Sequence, residues 1–138
     1  MNSFTQTVDL LHRAMDVSTL RYQVTADNLS KAGVPNYKRK TVSFESSLKH
    51  AFEQEAKAKE EEQAYREGKT RFTPSEAVDY RTVQPRLGTD YLTTVKANGN
   101  NVDAEQEAME LLKIQMNYQL LAQMQSHEFS QIRTAMRK

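Results

Sequence analysis

The sequence predicts a mainly α protein: two long terminal helices packed as a coiled-coil-like pair, around a polar middle segment that is partly disordered or forms a short β hairpin. Three observations lead there. From the N-terminus, Phe4, Val8, Leu11, Met15, Ser18, Tyr22, Thr25 and Leu29 recur at alternating spacings of four and three, the rhythm of a helical seam. Toward the C-terminus Tyr118, Ala122, Gln125, Phe129, Ile132 and Met136 repeat that rhythm, preceded by Met109, Leu112 and Met116. Between them, residues 51–71 hold six acidic and five basic side chains with almost no aliphatic residue, which cannot make a core. The organisation read from this is an N-terminal helix over 1–33, a middle segment over 34–98 and a C-terminal helix over 99–138.

Each element has its own signals. Ser3 with Gln6 forms an S-x-x-Q capping box, and Gly33 followed by Pro35 supplies a left-handed stop and a residue that cannot continue a helix. The first helix is therefore expected from about residue 4 to about residue 32, roughly 43 Å at 1.5 Å per residue. A second stripe of Leu10, Ala14, Val17 and Val24 flanks the seam, so one partner helix cannot cover both. Phe44 to Ala64 is rich in helix formers, and Phe44, Leu48, Ala51, Phe52 and Glu55 keep a short stripe that soon fades. From Tyr80 to Val95 the pattern becomes β-like: Tyr80, Thr82 and Val83 before Pro85, Leu87-Gly88 as a turn, and Tyr91 to Val95 as the returning strand. Gly99-Asn100-Asn101 then makes a turn, and Asp103 with Gln106 caps the last helix. Glu105 and Glu107 complement its positive end, and Arg133, Arg137 and Lys138 its negative end.

The composition excludes several functions. The 138 residues are only 38% hydrophobic, so burial must run along helix stripes rather than fill a thick core. With 19 basic and 18 acidic residues, the net charge of +1 implies neither a polyanion nor an acidic membrane. The absence of cysteine removes disulfide and thiol chemistry. No apolar run approaches the ~18 residues that a membrane span requires, so no membrane insertion is expected. The N-terminus lacks a basic region followed by a continuous apolar stretch, so export would use a route without a Sec signal peptide.

Candidate chemistry is sparse. His12, His50 and His127 have no metal-ligand spacing, and the four glycines form neither a G-x-G-x-x-G nor a Walker loop. No G-x-S-x-G elbow occurs. Lys38-Arg39-Lys40 after Tyr37 could grip phosphate, but the rest of the chain lacks a basic stripe, and a solvated or partner-facing loop explains the run better. Met109, Met116, Met124 and Met136 suit adaptable packing rather than a cofactor box. No catalytic residue, metal, cofactor or nucleic acid is expected.

The segment Ala26 to Tyr37, ADNLSKAGVPNY, is more specific. It resembles the signature of bacterial flagellar axial proteins of the rod and hook, an Asn-Asn-Ile-Ala-Asn stretch followed by Thr-Pro-Gly-Tyr-Lys. It matches at Ala26, Asn28, Leu29 (for Ile), Pro35, Tyr37 and Lys38, with Phe44-Glu45 downstream, and departs at Asp27, Ser30-Lys31, Val34 and Asn36. Asn36 stands where the family has Gly; Asn is the side chain most tolerant of positive φ, so the turn survives. Gly99-Asn100-Asn101-Val102-Asp103, then Glu107, Met109, Tyr118, Phe129, Ile132 and Arg133, resembles the start and course of the C-terminal helix in the same family.

The short length and the Phe4 and Val8-Asp9-Leu10-Leu11 opening are similar to proximal rod members rather than to longer distal rod or hook proteins. The resemblance implies a non-enzymatic structural subunit of the periplasm-spanning rod of the basal body. Such a subunit assembles helically through its terminal helices, connects the motor ring to the distal rod and hook, and transmits torque. Its partners would be itself, other rod proteins, the motor-ring junction protein and the export apparatus. The residues expected at subunit interfaces are Phe4, Val8, Leu11, Met15, Tyr22, Leu29, Leu112, Met116, Tyr118, Phe129, Ile132 and Met136. A competing reading is a cytosolic coiled-coil adaptor or export chaperone.

Overall fold

A computed structural model describes residues 3–93 and 96–137. In chain order it holds α1 (Ser3–Ser30), β1 (Lys40–Ser43), α2 (Glu45–Arg66), a 3₁₀ turn (Tyr80–Thr82), β2 (Arg86–Thr89) and α3 (Ala104–Ala135). Two compact units divide the chain, Met1–Val42 with Leu87–Lys138, and Ser43–Arg86.

In the first unit α1 and α3 run antiparallel. The Phe4 ring meets Phe129 edge-on at 6.0 Å, His12 bonds Gln125, and Asn28 bonds Glu107, so residues pair in descending order along α3. The buried and partly buried residues of α3 are Glu107, Glu110, Leu111, Ile114, Leu121, Ala122, Gln125, Glu128 and Ile132, and all but Glu110 and Ala122 fall on the four-and-three spacing of a seam. On α1 the buried residues are Leu11, Val17, Ser18, Thr25 and Asn28. The sequence seam is thus kept at Leu11, Ser18 and Thr25, but it drifts toward the C-terminus of α1. Tyr22 is 47% exposed, while the polar Asn28 takes the buried place beside Leu29. An untwisted α-helix falls behind a strict heptad by about 20° per repeat, and a polar partner at Glu107 draws the drift toward Asn28.

Both ends of α1 depart from expectation. The helix already includes Ser3, so Ser3 is not its cap, and what precedes it lies outside the described residues. At the other end Gly33 does not take positive φ. The chain leaves the helix through tight turns, Ala32 N–H to Leu29 O (3.2 Å) and Val34 N–H to Lys31 O (3.0 Å). The left-handed residue is Asn36, at φ 59°, in place of the family glycine. At α3, Asp103 caps as its sequence position implies, its carboxylate accepting from Glu105 N–H at 3.0 Å and Gln106 N–H at 3.5 Å.

The β structure is paired differently from the expected hairpin. Leu87-Gly88 is not a turn: both residues lie inside β2, which pairs with β1 in a two-stranded sheet. Asp90 N–H donates to Arg39 O at 2.8 Å and Gly88 sits against Thr41, so the strands run antiparallel with a long connection between them. Of the expected returning strand, Tyr91 to Thr93 form a bend, and Thr94 and Val95 lie outside the described residues.

In the second unit, α2 buries Ala51 and Ala58, with Phe44 buried at its N-cap. Phe52 stacks on Tyr80 at 5.5 Å, which fastens the 3₁₀ turn to the helix. The rest of α2 is a solvated, charged helix with i,i+4 pairs such as Lys59–Glu55 at 2.7 Å. After it, Ser75 N–H returns to Glu61 at 2.8 Å.

Candidate assembly surface and the junction that shapes it

The two signature segments, far apart in sequence, meet in one buried junction. Asn28 is at its centre and all four of its hydrogen-bonding positions are used. Its amide donates to Lys40 O (2.8 Å) and to the Glu107 carboxylate (3.2 Å). Its carbonyl accepts from Lys40 N–H (2.9 Å) and the Tyr37 hydroxyl (3.0 Å). An asparagine can do no more than this. Glu107, fully buried one turn inside α3, accepts from the Arg39 guanidinium on its other oxygen. Glu107 therefore does not serve as a solvated partner of the helix dipole; it is the carboxylate half of a buried ion pair.

Two asparagines at the start of α3 complete the junction. The Asn100 amide donates to Lys31 O (2.9 Å), Ala32 O (3.2 Å) and Val34 O (2.8 Å), and its carbonyl accepts from Val102 N–H at 2.6 Å. These carbonyls line the turns by which the chain leaves α1, and Lys31 O and Val34 O also accept from Val34 N–H (3.0 Å) and Tyr37 N–H (3.4 Å), so Asn100 ties the exit of α1 to the start of α3 across space, where Gly33 supplies no left-handed cap. Asn101 accepts from Arg39 N–H at 2.6 Å and donates to Asp90 O at 2.7 Å, bridging the two strands just beyond the β1–β2 ladder. Lys38 reaches Gly99 O at 2.8 Å, and Asn36 N–H reaches Asn98 O at 3.0 Å. Gly99 has φ 80°, and a Cβ there would collide with the Asn36 side chain. At the rim, the Lys31 ammonium 2.7 Å away holds the Asp27 carboxyl below the ordinary aspartate value, and burial next to Asp27 raises the Tyr37 phenol. Pro35 lies at the exposed edge of this turn region.

Outside the junction, the residues expected at subunit interfaces fall into two groups. Phe4, Val8, Leu11, Met15, Leu29 and Ile132 are at least partly buried along the α1–α3 pair, and Leu11 is wholly so. Leu112, Met116 and Met136 are exposed, as to a lesser degree are Tyr22, Tyr118 and Phe129. Leu112 (63%) and Met116 (70%) belong with Met109, Leu120 and Met124 to a stripe of exposed apolar side chains. At 3.6 residues per turn this stripe lies roughly half a turn round α3 from Glu107, Ile114 and Gln125. One helix thus carries two opposite faces, one spent on α1 and one left to solvent. The histidines each pair with a glutamine: His12 with Gln125, His50 with Gln54 at 3.4 Å and His127 with Gln131 at 2.7 Å.

No family model matches the chain. The flagellar basal body rod protein FlgB of Borreliella burgdorferi is 36% identical over 132 residues, covering 96% of this chain and 96% of that protein. FlgB of Borrelia hermsii is similar to the same degree, 36% over 132 residues. The chain belongs to the FlgB family of flagellar basal body rod proteins. FlgB of Bacillus subtilis is 29% identical over 143 aligned positions, covering 99% of this chain. Since the similarity runs nearly end to end, it includes the middle unit, from which the sequence motifs drew nothing. Arg39 and Asp90 are the junction residues that motif reading missed in this FlgB-family chain, Arg39 because it stood inside a basic run that looked solvated.

Proposed function

We propose that this chain is a structural subunit of the proximal flagellar rod, which assembles helically through its terminal helices to join the motor ring to the distal rod and hook and to transmit torque. The observation that carries the reading is the outward stripe of α3, Met109 to Met124, roughly 22 Å long and opposite the face that packs on α1. A contiguous apolar stripe of this kind marks an interaction surface. The second face requires a second helix, from another copy or another rod protein. Contacts between unlike surfaces that do not close on themselves build open helical assemblies. Helices packed along the axis of such an assembly resist twist through many small contacts. The partners in this reading are further copies, other rod proteins, the motor-ring junction protein at the base and the export apparatus during delivery. The location in this reading is the periplasm-spanning part of the basal body.

The test is the double substitution Leu112→Asp/Met116→Asp. Both side chains already face solvent, so the purified chain should keep its helical circular dichroism while cells lose motility and the protein disappears from basal bodies. Motile cells would contradict the proposal. A wild-type protein that forms a stable, fully helical dimer in dilute solution and is absent from basal bodies would favour the cytosolic adaptor instead.

A further inference from the structure

The apolar seam between α1 and α3 does not by itself fix how the two helices line up. The contacts Phe4–Phe129, His12–Gln125 and Asn28–Glu107 define the observed register. Counting along both seams from these contacts, Val8, Leu11 and Met15 stand opposite Glu128, Gln125 and Leu121, two of which are polar and partly buried. Both seams repeat every seven residues, so sliding α3 by one repeat, about 10 Å at 1.5 Å per residue, brings the same faces together again. A slide in one direction sets Val8, Leu11 and Met15 opposite Leu121, Tyr118 and Ile114, and carries Glu128 past the start of α1. It leaves the last turn of α1 without a partner. The hydrophobic pattern therefore gains apolar pairs in the slid packing and loses overlap, and does not choose between the two.

The polar junction does choose. Asn28 and Glu107, 1% and 0% exposed, meet across the two helices only in the observed register. Asn28 holds Lys40 through both backbone groups, so Arg39 stays with the end of α1 when α3 moves. In the slid packing Glu107 comes opposite Tyr22, still on the seam, about 10 Å along the axis from Asn28 and Arg39. Asn100 is drawn by the same distance from the Lys31, Ala32 and Val34 carbonyls that it holds. A buried carboxylate stripped of its cation is strongly disfavoured, even where the intact pair adds little over an apolar substitute. The effect of the group thus lies in the difference between the packings, as a polar residue at one seam position fixes the register of a coiled coil.

We propose that Asn28, Arg39, Glu107 and Asn100 form a register lock, which selects one of two alignments of α1 and α3 that the heptad seam alone leaves in competition. The lock also sets the height of the outward α3 stripe, Met109 to Met124, against α1, since a slide would displace it by about 10 Å. Copies that pack through that stripe must all present it at one height. The inference concerns the chain's own packing and stands whether or not the rod reading does.

The test uses the full chain at low concentration, and the absence of native cysteine lets introduced pairs report register without background. His12→Cys/Gln125→Cys reads the observed register, and His12→Cys/Tyr118→Cys reads the slid one, since a disulfide needs Cα atoms within about 7 Å. With the junction intact, the intrachain 12–118 product is expected at about one-hundredth of the 12–125 product or less. In the background Asn28→Ala/Asn100→Ala/Glu107→Ala, which keeps good helix formers in both helices, the two products are expected within about ten-fold of each other. Leu121→Ala, which loosens the seam without touching the junction, is expected to keep the single 12–125 product. The inference is overturned if the triple-alanine background still gives 12–125 alone, or if the intact chain already gives both products. Equal mixing in Leu121→Ala would overturn it too, by showing general loosening. So would loss of helical circular dichroism in the triple-alanine background, because the junction would then hold the helices together and not choose their alignment.

Discussion

Replacing Arg39 with methionine would keep much of the side chain's volume and remove its charge from the Glu107 carboxylate. The side chains are 23% and 1% exposed, so the carboxylate cannot recover its hydration without opening the junction. Breaking a buried pair by deleting one partner costs about 3–5 kcal/mol. The lower end applies here, because the Asn28 amide at 3.2 Å still donates to Glu107 and the Arg39 backbone keeps its bond to Asn101. The expected loss is about 3 kcal/mol, a large part of the stability of a small protein. The chain has no tryptophan, so urea unfolding would be followed by far-ultraviolet circular dichroism. With a slope of about 2 kcal/mol per M, the midpoint should fall by about 1.5 M. Adding Glu107→Met removes the stranded charge, and the double variant should recover at least about half of the loss, since apolar replacements of buried pairs are often neutral. A loss below about 1 kcal/mol for Arg39→Met, or strictly additive losses in the double variant, would refute the view that the pair is a sealed, coupled unit.

Other perturbations read the same junction from different sides. Asn100→Ala removes the side-chain donor shared by the Lys31, Ala32 and Val34 carbonyls, of which Lys31 O and Val34 O keep a backbone donor, and should destabilise by about 1–3 kcal/mol, with faster hydrogen exchange at the last turn of α1 as its local signature. Gly99→Ala forces a Cβ into a positive-φ position against Asn36 and should cost about 1–3 kcal/mol, whereas Asn36→Gly should be nearly neutral by the same thermal-melt measurement. The Asp27 and Asp90 carboxyls both titrate below the ordinary aspartate value, chiefly through bonds from Lys31 and the Thr93 hydroxyl respectively. The folded form then binds these protons less readily than the unfolded form, so the stabilisation is present above about pH 4 and is lost as pH falls through the lower folded values. Asp27→Asn should flatten that acid limb in a pH series of urea midpoints; an unchanged limb would show that the Lys31 contact does not persist in solution.

Much of this architecture was legible in the residues. The terminal helices follow from heptad spacing and from Asp103 as a cap, and the motif resemblance at Asn28 to Lys38 and Gly99 to Asp103 located the segments that form the junction. Their meeting was not legible, because a side-chain cap such as Asn100 on Lys31, Ala32 and Val34 acts across 66 or more residues of sequence and leaves no local periodicity. Glu107 did carry a signal. It occupies the seam phase four residues before Leu111 and seven before Ile114, where a carboxylate needs a buried cation, and Arg39 was available. The strand pairing was misread for a related reason. Leu87-Gly88 has turn composition, but β2 finds its partner in β1, and local propensity does not reveal a long-range ladder. At the surface, the seam spacing of Met109, Leu112 and Met116 is real, yet it belongs to the outward face of α3 and not to the face on α1.

The rod assignment is tested most directly by tagging the protein and locating it in basal bodies isolated from motile cells. Density for the tag within the axial rod, next to the motor ring and present in several copies around the axis, is the predicted result. Intact rods that lack the tagged protein, with that protein recovered from the cytosol as a stable helical dimer, would contradict it.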